Sequence, residues 1–239
     1  MKKSAFLIII IALLLNSCII DGWNNGISGN GNVEEESRDV SGFTGVHAST
    51  GIDVFLSEGN GFDVKVEADE NLMEVILTEL NGNMLVIKTD RVNIRNAKSK
   101  KVYVTLPELK ELKISSAGDC KGMTPFKCDD LRISISSAGD LKLDVEAERI
   151  DIDISSSGDA TLTGHTGVLD ARLSSAGDLH AFDLIAETAS VDVSSAGDAR
   201  VHATDEISMN ASSAGNIYHK GGAEIVHSRS SSAGDIIKK

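Results

Sequence analysis

A phrase of five residues that returns seven times constrains this chain of 239 residues more than any other feature. The phrase is Ser-Ser-Ala-Gly-Asp, with a third Ser replacing the Ala in one copy and Asn replacing the Asp in another. Its glycines follow one another at steps of 18 to 21 residues: Gly118, Gly139, Gly158, Gly177, Gly197, Gly215 and Gly234. A period of about twenty residues predicts a solenoid, in which each repeat forms one coil stacked on its neighbours.

Apolar and polar residues alternate on both sides of each glycine. Apolar residues stand four and six positions before it and two positions after it in nearly every copy, as Ile135, Ile133 and Leu141 do around Gly139. An alternation of period two is typical of a strand with one buried face. We therefore predict an all-β fold, a single-stranded parallel β-helix with coils of about 18–21 residues. Each coil would contain two strands, a tight Ala-Gly-Asp corner between them and a looser return.

The corner residues are predicted to serve the fold. A recurring glycine indicates a backbone that needs a positive φ angle or a site with no room for a Cβ atom. The acidic residue after it would repeat at the spacing of neighbouring strands, about 4.8 Å, so repulsion between the carboxylates has to be offset. Corner N–H groups and Ser hydroxyls can do this, and Ca²⁺ held by oxygen ligands is the alternative. The predicted repeat turns are Gly118 and Asp119, Gly139 and Asp140, Gly158 and Asp159, Gly177 and Asp178, Gly197 and Asp198, Gly215 and Asn216, and Gly234 and Asp235.

The sequence contains no pattern typical of a catalytic or metal site. The six histidines fall at different offsets from the repeat and form no column beside the serines, so neither Ser-His-Asp catalysis nor a multi-His zinc site is supported. Two carboxylates can act as acid and base on a polysaccharide, but an acid that recurs in every coil singles out no pair. We predict no catalytic residue, no metal site and no cofactor, with Ca²⁺ as the alternative for the acidic column.

The first residues are predicted to be a targeting segment. Lys2 and Lys3 precede an apolar run over residues 5–15, which ends in Leu-Asn-Ser-Cys at Cys18. A basic tip, a short apolar stretch and a small residue at the break are typical of a secretory signal peptide. Cys18 would become the lipid-bearing first residue, and a plain signal peptide is the alternative. The glycine- and asparagine-rich stretch that follows, with its acidic triplet, predicts a flexible tether.

The charge and the cysteines limit the partners and the chemistry. The 23 Lys and Arg against 36 Asp and Glu give a net charge of −13, which repels phosphate backbones and argues against nucleic acid. Cys120 and Cys128 are eight residues apart in a chain predicted to be exported, where a disulfide between them could form. Cys120 also occupies an inward column, where a free thiol behaves as a small apolar residue.

Several further segments resemble a known family. They are Phe43-Thr44-Gly45-Val46, Ile52-Asp53-Val54, the strand Val102–Leu106 that ends at Pro107, and the iterated Ser-Ser-Ala-Gly-Asp. Over about residues 38–239 the chain resembles the head GIN domain family, described as autotransporter adhesins and found as exported lipoproteins of Gram-negative bacteria. The resemblance implies a right-handed β-helix at the cell envelope, in agreement with general backbone chirality, and an outer-membrane lipoprotein that faces the periplasm or the surface. It supplies no binding residues.

Three regions are therefore expected: a signal peptide over residues 1–17, a tether over residues 18–37, and a β-helix over residues 38–239. Within the β-helix, residues 38–110 would form irregular first coils and residues 111–239 the regular repeats. We expect a non-catalytic envelope scaffold, an adhesin or interaction module held to the membrane by lipid, that contacts a protein or glycan surface. Another copy could join at the C-terminal end. A polysaccharide-active enzyme and a Ca²⁺-stabilised structural protein are the alternative functions.

Overall fold

The computed structural model describes residues 26–239, so the predicted signal peptide, Cys18 and the first part of the tether lie outside the described residues. The described part consists of nineteen strands and one short 3-10 helix, Glu70–Leu72. The strands of the first half are β1 (Gly26–Ser28), β2 (Val33–Arg38), β3 (Gly45–Ala48), β4 (Asp53–Glu58), β5 (Asp63–Asp69), β6 (Ile76–Asn81), β7 (Met84–Thr89), β8 (Asn93–Arg95) and β9 (Lys100–Leu106). Those of the second half are β10 (Glu111–Ser115), β11 (Asp119–Gly122), β12 (Phe126–Ser136), β13 (Asp140–Ile154), β14 (Asp159–Leu173), β15 (Asp178–Ser194), β16 (Asp198–Ser212), β17 (Asn216–Lys220), β18 (Glu224–Ser231) and β19 (Asp235–Lys238).

The second half is a stack of parallel coils, which confirms the predicted solenoid of about seven turns. Each coil pairs with the next in parallel, for example Ile133 opposite Ile152 and Leu141 opposite Ala160. Within residues 26–239, no helix is long and apolar enough to cross a bilayer.

The alternating apolar residues fill the interior of the stack. Ile133, Ile135 and Leu141 are at most 1% exposed. The same columns stay buried from coil to coil until the last one, where Ser228 and Ser230 are exposed. Each fully buried aliphatic side chain contributes about 1.5–3 kcal/mol, which is why the period-two pattern determines which face turns inward.

The return side of each coil is more regular than predicted. β13 to β16 run without interruption for 15 to 17 residues from one corner to the next. The return residues therefore also pair between coils, as Glu146 does with His165. The ladder shifts its register near Gly164, whose φ of +111° suits glycine and where a Cβ would collide with the carbonyl oxygen of Val145.

The first coils are stacked out of sequence order. β3 pairs with β7 on one side and with β10 on the other, and β4 likewise lies between β9 and β11. The chain thus forms a first coil with β3 and β4, and then stacks β7 and β9 on the outer side of that coil. It then crosses back, so that β10 and β11 stack on the inner side of the first coil. This part of the chain also contains antiparallel pairs, because β5 runs antiparallel to β2 and β9, and β6 runs antiparallel to β7.

Part of the predicted tether over residues 18–37 is strand and not flexible chain, because β1 and β2 lie within the described residues from Gly26 onward. β1 pairs with β8, and β2 pairs with β5 in antiparallel orientation. The carboxylate of Asp69, which is fully buried, accepts N–H groups of Gly31, Lys98 and Ser99 at 2.8, 2.9 and 3.0 Å. These bonds fasten the segment before β2 to the connection between β7 and β9, and composition alone could not reveal them.

Candidate interaction surface

The Ser and Asp columns of the repeat lie along one edge of the solenoid, which we call the corner edge. Serines stand opposite one another on its first side, as Ser194 and Ser212 do. Carboxylates follow on its second side, where Asp119 lies opposite Asp140 and Asp140 opposite Asp159. The complete column comprises Asp53, Asp119, Asp140, Asp159, Asp178, Asp198, Asn216 and Asp235. The structure thus brings the predicted acidic residues together and adds Asp53 to them.

The corner glycines are required because a Cβ atom would not fit there, and not because their φ angle is positive. None of the seven has a positive φ, whereas the Ser two positions earlier does in every copy, as in Ser156 and Ser175, both at 66°. A Cβ on Gly158 would lie 2.5 Å from Cγ2 of Ile135 on the adjacent coil. Of the two explanations that the sequence left open for these glycines, close packing between coils is correct.

Hydrogen bonds between coils offset part of the repulsion along the acidic column. Oδ1 of Asp178 accepts the backbone N–H of Asp198 at 2.8 Å, and Oδ1 of Asp198 accepts an amide hydrogen of Asn216 at 2.9 Å. Near the other end of the acidic column, Asp119 lies between the carboxylates of Asp53 and Asp140. Desolvation and then these two charges raise the pKa of Asp119. At Asp178 the carboxylate thus accepts a corner N–H, as one of the two explanations for the column requires.

The positions of the histidine and acidic side chains bear on the two alternatives of a metal site and an activated serine. Within residues 26–239, no group of three or more His, Cys, Asp or Glu side chains is placed to share a metal ion. One histidine contacts a corner serine: Nε2 of His47 lies 3.0 Å from Oγ of Ser115. Desolvation, and then Lys113, lower the pKa of His47. No hydrogen bond joins His47 to a carboxylate, so the orienting acid of a catalytic triad is missing in the described chain.

A column of mostly cationic and aromatic side chains, interrupted at Thr161, runs beside the acidic one, two residues further along each strand. The rings of Phe55 and Tyr103 stack at 5.1 Å between centroids, and the ammonium of Lys65 lies 5.3 Å from the centre of Tyr103. At the other end, Arg200 lies 5.3 Å from the ring centre of Tyr218. From Lys121 to Tyr218 the residues of this column share one offset from the corner glycines, so the repeat alone could have revealed that part of it.

Two shallow grooves follow the corner edge. One, of about 420 Å³, runs along the serine column across four coils, between side chains such as Asp153, Ser174 and Asp192. The other, of about 210 Å³, lies on the acidic column between Asp119 and Lys142. Both offer carboxylate and cationic groups at the regular spacing of the coils, and the groove along the serine column adds hydroxyls. Such surfaces suit a polar, extended ligand.

A larger groove, of about 790 Å³, lies on the return side of the coils. Its walls include Glu148, His165, Glu187 and the thiol of Cys128. Lys127 and Glu146, also in its lining, form an exposed ion pair at 2.8 Å.

The two cysteines of the regular coils are free thiols. Cys120 is buried in its inward column, where desolvation raises its pKa to about 12. Cys128 is half-buried, and desolvation raises its pKa to about 11. The structure thus has Cys120 and Cys128 without a disulfide between them. The raised pKa values of the two thiols make them poorly reactive, because the thiolate is the reactive form.

The fold is shared with solved structures of bacterial proteins. A "putative adhesin" from Bacteroides fragilis is 21% identical, with a TM-score of 0.81 over 90% of this chain and 100% of that chain. A "putative lipid binding protein" from Parabacteroides distasonis is 24% identical, with a TM-score of 0.75 over 90% of this chain and 99% of that chain. A "putative adhesin" from Parabacteroides merdae is 19% identical, with a TM-score of 0.75 over the same shares. At these identities the likeness establishes the fold.

Comparison at the level of sequence establishes the family. No curated protein matches the chain. A sequence model described as "Putative auto-transporter adhesin, head GIN domain" matches residues 42–223, which is most of the chain. The iterated corners, and the strand that ends at Pro107, predicted this relationship. The chain therefore belongs to the head GIN domain family.

Proposed function

We propose that this protein is an adhesin-like scaffold of the bacterial cell envelope, without catalytic activity, that binds a glycan surface through its corner edge. The observation that carries the proposal is the alignment of Ser, Asp and cationic or aromatic columns over the length of the stack. Sugar hydroxyls both donate and accept hydrogen bonds, so they match a surface that alternates hydroxyls with carboxylates. The family description as an adhesin supports the same conclusion.

The absence of a concentrated reactive site in the described residues also favours binding over catalysis. The carboxylates of the corner edge recur on all but one of the corners, and two of them, Asp178 and Asp198, accept hydrogen bonds between coils. A repeated surface can bind a polymer through many weak contacts at once, so its avidity exceeds that of any single contact.

Attachment to the membrane would occur through Cys18, which lies outside the described residues. The basic tip and apolar run before it support a lipoprotein signal. Metabolic labelling with a fatty acid should mark the wild-type chain, while the Cys18→Ser variant should stay unlabelled and leave the membrane fraction. Labelling of the Cys18→Ser variant would contradict this anchor.

Binding can be tested with the full chain in detergent on an array of host mucin glycans and bacterial polysaccharides. The double variant Ser174→Ala/Asp192→Ala removes polar groups from the serine groove, and it should weaken binding by at least about tenfold, equivalent to about 1.4 kcal/mol. The matched control, Glu148→Ala/Glu187→Ala, removes polar groups from the return groove and should bind like the wild type. Loss of binding in the control alone would place the contact in the return groove.

The alternative functions have distinct outcomes in the same preparation. A polysaccharide-active enzyme would shorten polymers of the panel, and we expect no depolymerisation. A Ca²⁺-stabilised scaffold would melt at a lower temperature in EDTA, and we expect no change because the carboxylates of Asp178 and Asp198 have hydrogen-bond partners on adjacent coils. An array on which no glycan is enriched would overturn the proposed function.

A further inference from the structure

One sheet of the solenoid carries the acidic column and the mostly cationic column side by side, and we call it the column face. In the coils of β11 and β13 these columns consist of Asp119 and Lys121, and of Asp140 and Lys142, which we call the central charges. On each strand the two columns are two residues apart, about 7 Å, and both repeat at about 4.8 Å from coil to coil. The middle of the column face therefore shows two parallel lines of opposite charge.

The central charges form no ion pair with one another or with any other residue of the described range 26–239. All four side chains are exposed. The ionised form of Asp119 is destabilised, because desolvation, and then the carboxylates of Asp53 and Asp140, raise its pKa, while Lys142 acts in the opposite direction. A further cation placed against this part of the acidic column from outside would offset that repulsion.

Towards both ends of the column face the charges are already paired within one chain. A guanidinium nitrogen of Arg200 lies 3.3 Å from a carboxylate oxygen of Asp198. At the other end, the ammonium of Lys101 lies 3.0 Å from a carboxylate oxygen of Glu67. These pairs have little to gain from an outside partner, so the central charges are the part of the face that a partner of complementary charge would recognise.

A two-fold axis that runs along the stack, between the two columns, brings two such faces together. Rotation about this axis keeps every coil at its own level, so β11 of one copy faces β11 of the other. The rotation also exchanges the two columns, because they lie on opposite sides of the axis. Asp119 of each copy then faces Lys121 of the other copy, and Asp140 faces Lys142. The column face is thus self-complementary, as a two-fold contact requires.

No level of the column face opposes like charges in this arrangement, from β5 to β19. Besides the central charges, the facing pairs are Glu67 with Lys65, Lys101 with Tyr103, Asp53 with Phe55, Asp159 with Thr161, Asp178 with His180, Asp198 with Arg200, Asn216 with Tyr218, and Asp235 with Ile237. An axis placed on either column would instead oppose carboxylate to carboxylate or lysine to lysine. Repulsion of that kind disfavours the other placements.

We propose that the column face binds the same face of a second copy of this chain, so that two stacks lie side by side and parallel in a symmetric dimer. The six strands β4, β11, β13, β14, β15 and β16 present a face of about 30 Å by about 16 Å, so on the order of 1,000 Å² is buried by the two copies together. This area is at the lower end for a specific complex, so the dimer is weak and reversible. The charges chiefly fix its orientation.

The parallel arrangement also suits two chains held at the same membrane. The described chain begins at Gly26 in β1, which pairs with β8 in the connection between β7 and β9. Because the axis runs along the stack, the preceding residues of both copies leave from the same end. Two copies attached as proposed above can therefore meet without leaving the membrane, which raises their effective concentration. The serine groove lies on the first side of the corner edge and stays open, so the dimer does not rest on the glycan contact there.

Charge reversal tests the dimer with the full chain in detergent, by sedimentation velocity over a wide range of concentration. The cationic-column variant is Lys121→Glu/Lys142→Glu, and the acidic-column variant is Asp119→Lys/Asp140→Lys. Each variant alone should dimerise at least about tenfold more weakly than the wild type, because like charges then face each other. An equimolar mixture of the two should form a heterodimer, since each carboxylate then faces a lysine.

A charge-swapped variant separates binding from a role in the fold. Asp119→Lys/Lys121→Asp/Asp140→Lys/Lys142→Asp exchanges the two columns within one chain, so its copies should dimerise like the wild type. Failure of both the swapped variant and the mixture to associate would overturn the proposal. Circular dichroism of each variant confirms that it is folded.

Two further measurements exclude other contacts. Lys110→Glu/Lys127→Glu makes the same charge change as the cationic-column variant on exposed lysines outside the column face, and it should associate like the wild type. Association that survives unchanged in both column variants would place the contact elsewhere, for example in the apolar run over residues 5–15, and overturn the proposal. A wild-type chain that stays monomeric at every concentration would overturn it as well.

Discussion

Cγ2 of Ile154 occupies the space that a Cβ on Gly177 would need, since the two atoms would lie 2.5 Å apart. Gly177 is the corner glycine of one coil, and Ile154 is the last residue of β13 on the preceding coil. The same relationship joins Gly139 to Ile114. The glycine and the isoleucine of the repeat are therefore one packing unit shared between successive coils.

Gly177→Ala should destabilise the fold by about 1–3 kcal/mol, the range for overpacking a tight core. Gly61→Ala is the matched control, because a Cβ there meets nothing within 4 Å, and its stability should stay within about 0.5 kcal/mol of the wild type. Urea unfolding followed by circular dichroism measures both. Ile154→Leu removes Cγ2, so Gly177→Ala should destabilise the Ile154→Leu variant less than it destabilises the wild type. Equal destabilisation in the two backgrounds would contradict the contact.

Ser175→Gly should leave stability unchanged or raise it by up to about 1 kcal/mol. Its φ of 66° is unfavourable for a residue with a Cβ, and glycine relieves this strain at some cost in unfolded-state entropy. Ser174→Gly is the control, because the φ of Ser174 is not positive and its N–H is bonded to Ile154 at 2.9 Å. That variant should lose about 0.5–1 kcal/mol. Equal losses in both variants would show that the strain at Ser175 is unimportant.

Asp178→Asn should keep the stability of the wild type or increase it slightly. Asparagine retains the oxygen that accepts the N–H of Asp198 at 2.8 Å and removes one charge from the acidic column. Asp178→Ala loses the acceptor and should cost about 0.5–1.5 kcal/mol. Thermal melts and urea midpoints compare the two. A loss for Asp178→Asn as large as that for Asp178→Ala would mean that the negative charge itself is required, as a bound cation would require it.

Glu67 should make stability depend on acid pH. It accepts hydrogen bonds from Ser99 at 2.7 Å, Lys101 at 3.0 Å and Tyr103 at 2.9 Å, and these bonds lower its pKa to about 2. A lowered pKa in the folded state gives stability that is complete above the unfolded pKa and is lost as pH falls towards 2. Glu67→Gln should therefore cost about 1–3 kcal/mol at pH 7, and the difference from the wild type should shrink below about pH 4.5.

The exposed pair between Glu79 and Lys88 provides the control for that titration. Both side chains are more than a third exposed, so Glu79→Gln should cost about 0–1 kcal/mol. Denaturant midpoints at several pH values from 7 to 3 provide the comparison. A Glu67→Gln effect that stays constant over this range would contradict the lowered pKa.

The sequence predicted the regular half of the fold well, because every coil repeats the same local chemistry. The inward columns through Ile133 and Leu141 are buried where expected. Asp53 was harder to place, since it joins the acidic column only through the pairing of Val54 with Cys120, more than sixty residues along the chain. The contact between His47 and Ser115 has the same origin, because it exists only where β3 lies beside β10.

The sequence by itself determined the period, the inward columns and the positions of the corners. A solenoid uses the same short pattern in each coil, and neighbouring coils meet in the order in which they are synthesised. Only the tertiary structure decided the order of the first coils, the strands formed by part of the predicted tether, and the residue that carries the positive φ. These features depend on close approach between distant segments, as in the three N–H groups that converge on Asp69, and no local pattern encodes such an approach.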